Sequence, residues 1–221
     1  MVVGLFKKQW RKILLGILLL VVVWFGWKMF FRFLPFVPHQ RITISLPFAP
    51  EDDDLIFINP MGEKVQHADA PRGHPGLDFG WHHPAPLRAV SAGKITKIAE
   101  HPSGGHGETE KIYDVEIVTG DYAVRYDEIA PASNVKVGMR VQAGDVIGRG
   151  GKYEQPGGLG TYYSTHWEFD YNTFWFDRLC PLTYFDADAV ARINAIWSKV
   201  GQTYDGKYPD ICSGGYKGRD R

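Results

Sequence analysis

Two histidines and an aspartate are the residues best suited by type to do chemistry together. His74 and Asp78 lie in Gly73-His74-Pro75-Gly76-Leu77-Asp78-Phe79-Gly80, and His166 lies in Ser164-Thr165-His166-Trp167-Glu168-Phe169. Two imidazoles and a carboxylate suit Zn2+, a borderline ion that accepts nitrogen and oxygen donors. Three protein ligands leave a fourth tetrahedral position open for water, the arrangement of a catalytic rather than a structural site. A lone H-x-x-x-D pair is weak evidence, since scattered His and Asp are common. The order and surroundings of the neighbouring motifs are what raise it.

Those motifs follow one another along the chain. After His74-Pro75-Gly76-Leu77-Asp78 come Val90-Ser91-Ala92-Gly93-Lys94-Ile95 and Tyr126-Asp127-Glu128-Ile129. Val137-Gly138-Met139-Arg140-Val141-Gln142-Ala143-Gly144-Asp145-Val146-Ile147-Gly148 and Thr165-His166-Trp167-Glu168 complete the series. The series resembles the lysostaphin/LytM-type zinc endopeptidases. Members of that family read H-x-G-x-D, V-x-A-x-x-G-x-V, Y-x-H-L, V-x-x-G-x-x-V-x-x-G-x-x-I-G and H-L-H-F-E, in the same order. The resemblance covers about residues 55–185. It implies a mainly β fold, a compact antiparallel β-sandwich of the duplicated-hybrid-motif type. It also implies zinc bound by His74, Asp78 and His166, and hydrolysis of cell-wall (peptidoglycan) or related peptides by zinc-activated water.

Two positions depart from the family pattern. Aligning His166-Trp167-Glu168 with H-F-E places Ser164 at the first His of H-x-H, and aligning Tyr126 with Y-x-H places Glu128 at the other catalytic His. In the family those imidazoles polarise the metal-bound water and stabilise the oxyanion. Glu128 is the candidate general base, because a carboxylate near such a water can take its proton. A solvated acidic residue at a strand end is the other reading of Glu128. Ser164 cannot supply an imidazolium's charge, which leaves Tyr162, Tyr163, His82, His83, His101 and His106 as candidate substitutes. Glu168 is either an ion-pair partner or a carboxylate that orients a ligand imidazole.

Two functions follow from this mixture of matches and departures. One is a zinc metallopeptidase-like hydrolase. The other is a catalytically degenerate zinc-binding domain that binds cell wall or regulates another hydrolase. A third reading rests on Val135–Gly148, which also resembles the paired-strand turn of lipoyl and biotin carriers, but no Met-Lys-Met-like turn accompanies it.

The elements that must position these residues read as β. Ile95-Thr96-Lys97-Ile98, Tyr113–Val118 and Tyr122–Tyr126 alternate polar and apolar side chains, and Thr119-Gly120-Asp121 reads as a hairpin turn. Residues 101–107 and 155–160 are glycine-rich loops of the kind that line binding clefts. Near the C-terminus, apolar residues at 189, 190, 193, 196 and 197 have helical spacing, with Asp186 as N-cap and Gly201 as stop. Residues 186–221 therefore read as a helix followed by a Gly- and charge-rich tail.

The N-terminus has a different character. Lys7, Lys8, Arg11 and Lys12 precede an uncharged run from Ile13 to Trp27. Fifteen residues span only about 22 Å, against roughly 30 Å of hydrocarbon. The apolar character continues through Met29, Phe30, Phe31, Phe33 and Leu34, past Lys28 and Arg32, whose long side chains can snorkel. No small-x-small cleavage site follows. The reading is a cytoplasmic basic stub at 1–12, a transmembrane signal anchor at 13–34 and a proline-punctuated stalk at 35–54. The basic stub keeps the N-terminus inside, so the rest of a single-pass protein would be exported to the periplasm or the cell exterior. In an oxidising compartment Cys180 and Cys212 permit one disulfide, with two unpaired thiols as the alternative. With 25 basic and 25 acidic residues the net charge is zero, and nothing points to nucleic acid.

Overall fold

The alternating runs become strands because one face of each is apolar and must be covered. A computed structural model describes residues 13–27, 41–64, 72–102, 107–172, 177–201, 208–212 and 216. Its strands are β1 (Phe57–Asn59), β2 (Leu77–Trp81), β3 (Pro86–Arg88), β4 (Gly93–Glu100) and β5 (Tyr113–Thr119). They continue with β6 (Tyr122–Pro131), β7 (Arg140–Val141), β8 (Val146–Gln155), β9 (Gly160–Tyr171) and β10 (Asp177–Arg178). Every pairing between them is antiparallel. The order across the sheet is β1-β2-β9-β8-β6-β5-β4-β7, with β3 on β8 and β10 on β9.

Hydrogen bonding does not separate two sheets as the sandwich expectation suggests. All ten strands join in one, because long strands change partners. Tyr122–Asp127 of β6 pairs with β9, whereas Ile129–Pro131 pairs with β8. The switch falls at Glu128, whose φ of 63° is the left-handed conformation that few non-glycine residues adopt. β8 also pairs with β9, so the three strands meet at a junction. Gly151 sits in that junction, and a Cβ there would lie 2.6 Å from the Glu128 carbonyl oxygen. The glycine lets the bent strand approach its neighbour.

Below the sheet, Trp81, Phe79, Trp167, Phe169, Tyr126 and Ile117 are nearly all removed from water. Tyr122 stacks on Phe169 at 5.3 Å between ring centroids. The expected hairpin turn is Gly120-Asp121, closed by the Thr119–Tyr122 pair.

The C-terminal helix forms as its spacing foretells. We label the helix at residues 13–27 α1 and the Ala187–Val200 helix α2. Asp186 caps α2 by accepting a 2.7 Å hydrogen bond from the Ala189 amide, and Gly201 is the C-cap. Ala189, Ile193, Ile196 and Trp197 form its buried stripe. Cys180 and Cys212 are joined in a disulfide. Residues 213–215 and 217–221 of the expected tail lie outside the described residues.

The chain forms two units, Met1–His39 and Gln40–Arg221. In the first, the basic stub at 1–12 and the continuation of the expected anchor at 28–34 lie outside the described residues. Among the described residues no helix is long and apolar enough to cross a membrane. In the second, residues 41–54, expected as the end of a stalk, pack on the β domain. Ile44, Leu46 and Phe48 are buried in the core, and Ile44 makes one parallel bridge to Phe185. Asp53 accepts hydrogen bonds from Arg192 of α2, at 2.6 Å from Nη2 and 3.1 Å from Nε, tying this segment to the helix.

Candidate metal centre

Asp78 lies on β2 and His166 on β9, and the antiparallel register sets them directly opposite each other. His74 precedes β2 in the turn His74-Pro75-Gly76-Leu77-Asp78. That turn lies hard against β9: a Cβ on Gly76 would come within 2.4 Å of the Trp167 carbonyl oxygen and 3.1 Å of His166 Cε1. Strand alternation sends Trp167 into the core and turns His166 and Glu168 to the other face.

Three ligand-type atoms converge as a result. His74 Nε2 is 2.9 Å from His166 Nδ1 and 3.0 Å from Asp78 Oδ1, and His166 Nδ1 is 2.7 Å from Asp78 Oδ1. The ring protons are accounted for elsewhere. His74 Nδ1 lies 3.2 Å from the Pro60 carbonyl oxygen, which can only accept, so Nδ1 donates and Nε2 keeps its lone pair. His166 Nε2 lies 3.2 Å from Glu168 Oε1, so a neutral ring that donates to that carboxylate keeps its Nδ1 lone pair for the shared point. Asn59 Nδ2 donates to Asp78 Oδ2 at 2.8 Å, which leaves Oδ1 facing the imidazoles. Three acceptor atoms at such distances repel one another unless a cation lies among them.

A zinc ion fits this set. Bonds of about 2.0–2.1 Å in a tetrahedron separate ligand atoms by about 3.3 Å. The observed edges are a few tenths of an ångström shorter, and the donors are the nitrogen and oxygen types zinc takes. His74, Asp78 and His166 are the one group of at least three such side chains found among the described residues.

Without a metal, a proton serves as the cation. Burial disfavours charge on His166, but hydrogen bonds and charges from Asp78 and Glu168 outweigh it and hold the pKa well above the ordinary histidine value. Burial would likewise raise Asp78, yet the neighbouring His74 and His166 outweigh it and hold it well below the carboxylate range. Metal binding to such a site exchanges a proton for the ion.

Beneath His166 lies a row of buried charges. Glu168 accepts hydrogen bonds from Arg178 and, at 3.3 Å, from Arg125. Arg178 also donates to Asp170 at 2.7 Å. Glu168 is thus an ion-pair partner and an orienting carboxylate at once. Opposite His166 in β6 stands Asp127. Burial, reinforced by the charge of Glu168, pushes its pKa up to about 7.

The remaining candidates divide. Glu128 accepts a 2.9 Å hydrogen bond from the Tyr153 hydroxyl and lies 3.8 Å from His101 Nε2, while His101 Nδ1 donates to Asp114 at 2.6 Å. Tyr162 stacks on Tyr153 and meets the edge of Phe57. Burial and the charges of Glu128, Glu108 and Asp78 raise its pKa, so its phenol keeps the proton as a donor. Tyr162 and His101 thus belong to the neighbourhood of Glu128. Tyr163 lies under the Arg149 guanidinium instead. His83 pairs with Asp52 at 3.2 Å, His82 is exposed, and His106 lies outside the described residues. Ser164 is buried, set between Gly80 of β2 and Gly151 of β8.

Sequence reasoning missed Asn59, Pro60, Asp127 and Arg178. Only Asp127 had a signal, its alternation with the buried Tyr126 in β6. The other three reach the site from distant segments, and no local pattern marks them.

No protein-family model matches this chain, and no curated protein does. Its structure is similar in part to several solved proteins. One is Csd3 of Helicobacter pylori, at 21% identity and a TM-score of 0.46, covering 66% of this chain and 34% of that one. Another is the catalytic domain of the antimicrobial peptidase lysostaphin from Staphylococcus simulans, at 25% identity and a TM-score of 0.38, covering 51% and 78%. A zinc-containing peptidase from Vibrio cholerae aligns at 21% identity with a TM-score of 0.44, over 60% and 38%. The chain thus spans about a third of the length of Csd3.

Proposed function

We propose that residues 55–185 form a zinc metallopeptidase-like domain that hydrolyses cell-wall (peptidoglycan) or related peptides. The observation that carries this reading is the convergence of His74 Nε2, Asp78 Oδ1 and His166 Nδ1 within 2.7–3.0 Å of one another, with Pro60 and Glu168 set to take the outer ring protons. The sequence resemblance to lysostaphin/LytM-type peptidases supplies the substrate class. Zinc, when bound, supplies a Lewis acid that polarises a carbonyl and brings the pKa of water toward about 7.

The chain's own groups have separate tasks in this reading. Pro60, Asn59 and Glu168 orient the three ligands. Glu128 accepts a proton, its carboxylate held in place by the Tyr153 hydroxyl. Tyr162, kept protonated by burial and acidic neighbours, donates a hydrogen bond to negative charge developing on the substrate oxygen.

A second reading is a degenerate domain that holds zinc and binds cell wall or regulates another hydrolase. It is favoured by Ser164, which is buried between two glycines at a position where the family carries an imidazole. Metal analysis of the full-length protein and digestion of purified sacculi separate the two. The hydrolase reading expects about one zinc per chain and soluble peptide products. Zinc without products on any sacculus leaves the degenerate domain, and absence of zinc removes both.

We also propose that the N-terminal segment is a retained signal anchor, with the β domain exported. The basic cluster Lys7–Lys12 and the apolar α1 support it. N-terminal sequencing of membrane-bound protein tests it, and a mature terminus near residue 40 overturns it.

A further inference from the structure

The disulfide sits where the supports of the two histidine ligands meet. On one side, Cys180 follows Arg178 and Leu179. The Leu179 amide donates to the Phe169 carbonyl at 2.8 Å, and Arg178 holds Glu168 and Asp170. Glu168 in turn takes the Nε2 proton of His166. On the other side, Cys212 follows Ile211, a fully buried residue whose carbonyl accepts the Met61 amide at 2.8 Å. Met61 lies between Pro60, which takes the Nδ1 proton of His74, and Gly62, whose amide donates to the His74 carbonyl at 2.8 Å. The His74 amide donates to Glu63 at 2.8 Å, and Asn59 of the same segment holds Asp78.

We propose that the Cys180–Cys212 disulfide, with Arg178 and Ile211 beside its two ends, is a positioning element of the metal centre. This rests on the reading that His74, Asp78 and His166 hold zinc. The bond keeps Cys180 and Cys212 at 5.7 Å between Cα atoms. The segment that aims His74 thereby stays fixed relative to the arginine that aims His166 through Glu168. These are segments 59–63 and 178–180, far apart in sequence, and the path between them is the disulfide, the peptide from Cys212 to Ile211 and the Met61 amide's hydrogen bond to the Ile211 carbonyl. Opening it frees Ile211 to leave Met61, and His74 then loses the constraint on its ring. Loss of outer contacts of this kind typically weakens metal binding about 10- to 100-fold.

The test uses the full-length protein and measures zinc affinity by competition with a chromophoric chelator. Wild type is compared with Cys180→Ser/Cys212→Ser, with folding checked by circular dichroism. Substituted Co2+ supplies a d–d spectrum that reports ligand geometry, which general destabilisation of a folded protein leaves unchanged. The double variant is expected to bind zinc about 10- to 100-fold more weakly with an altered cobalt spectrum. Arg178→Gln, which keeps the disulfide, should reproduce the loss through the His166 limb, with partial recovery in Arg178→Lys. If wild type and the serine variant bind zinc equally, the inference is overturned while the metal centre stands. If wild type binds no zinc, the metal reading itself falls. Should the serine pair fail to fold, unchanged affinity in Arg178→Gln overturns the inference instead.

Discussion

Gly76→Ala tests the arrangement of the metal centre with a single methyl group. The added Cβ would lie 2.4 Å from the Trp167 carbonyl oxygen, 3.0 Å from Glu168 Cγ and 3.1 Å from His166 Cε1. A carbon and an oxygen rest at about 3.4 Å, so the turn bearing His74 and Asp78 must retreat from β9 by about 1 Å. Overpacking of this sort costs about 1–3 kcal/mol, or roughly 2–12 °C in Tm for a domain of this size. The larger effect is on the ligands. Asp78 and His166 are paired across the same two strands at 2.7 Å. A retreat of about 1 Å displaces His74 and Asp78 relative to His166 by more than the roughly 0.5 Å within which a site must hold its geometry. Zinc affinity should therefore fall at least about tenfold, the scale of misaligned ligand supports. Thermal unfolding of the metal-free protein and chelator competition measure the two effects separately. Unchanged Tm together with unchanged zinc affinity would refute the claim that Gly76 is required by close approach.

Three further outcomes are expected. Replacing His74, Asp78 or His166 by Ala should each abolish stoichiometric zinc by metal analysis, and full retention in His166→Ala would show that the third ligand is misassigned. Glu128→Gln should leave zinc bound but cut peptide release from sacculi by about 10²–10⁴, the usual loss on removing a positioned base. An active protein indifferent to this change would move the search for the base to His101. In metal-free protein, Asp127 should make stability fall with pH: its pKa rises on folding from 3.8 to about 7, so between those values the folded state keeps a proton that the unfolded chain has lost. Stability from this group is complete below pH 4 and lost as pH passes 7. Urea midpoints of Asp127→Asn across that window should be flatter than those of wild type, and parallel curves would refute the assignment.

The local elements were legible in the chain. Period-two alternation marked β5 and β6, and 3.6-residue spacing with Asp186 and Gly201 marked α2, because these patterns depend only on which face of an element is apolar. The three ligand-type residues were legible too, since their order along the chain matches a motif series. Partner choice in the sheet was not. That β6 leaves β9 for β8 at Glu128, joining into one sheet the strands that the resemblance implied as a sandwich, depends on which strands meet. The same holds for residues 41–54, whose prolines and charges read as a stalk although Ile44, Leu46 and Phe48 are core. Their burial follows from the room left beside β2 and α2, which no local window contains. Residue types together with the order of the surrounding motifs chose His74, Asp78 and His166. Glu168, two residues from His166 on the same strand, was within reach of local alternation, whereas only the tertiary structure decided that the Pro60 carbonyl, 14 residues before His74 on a separate segment, takes the outer ring proton of His74.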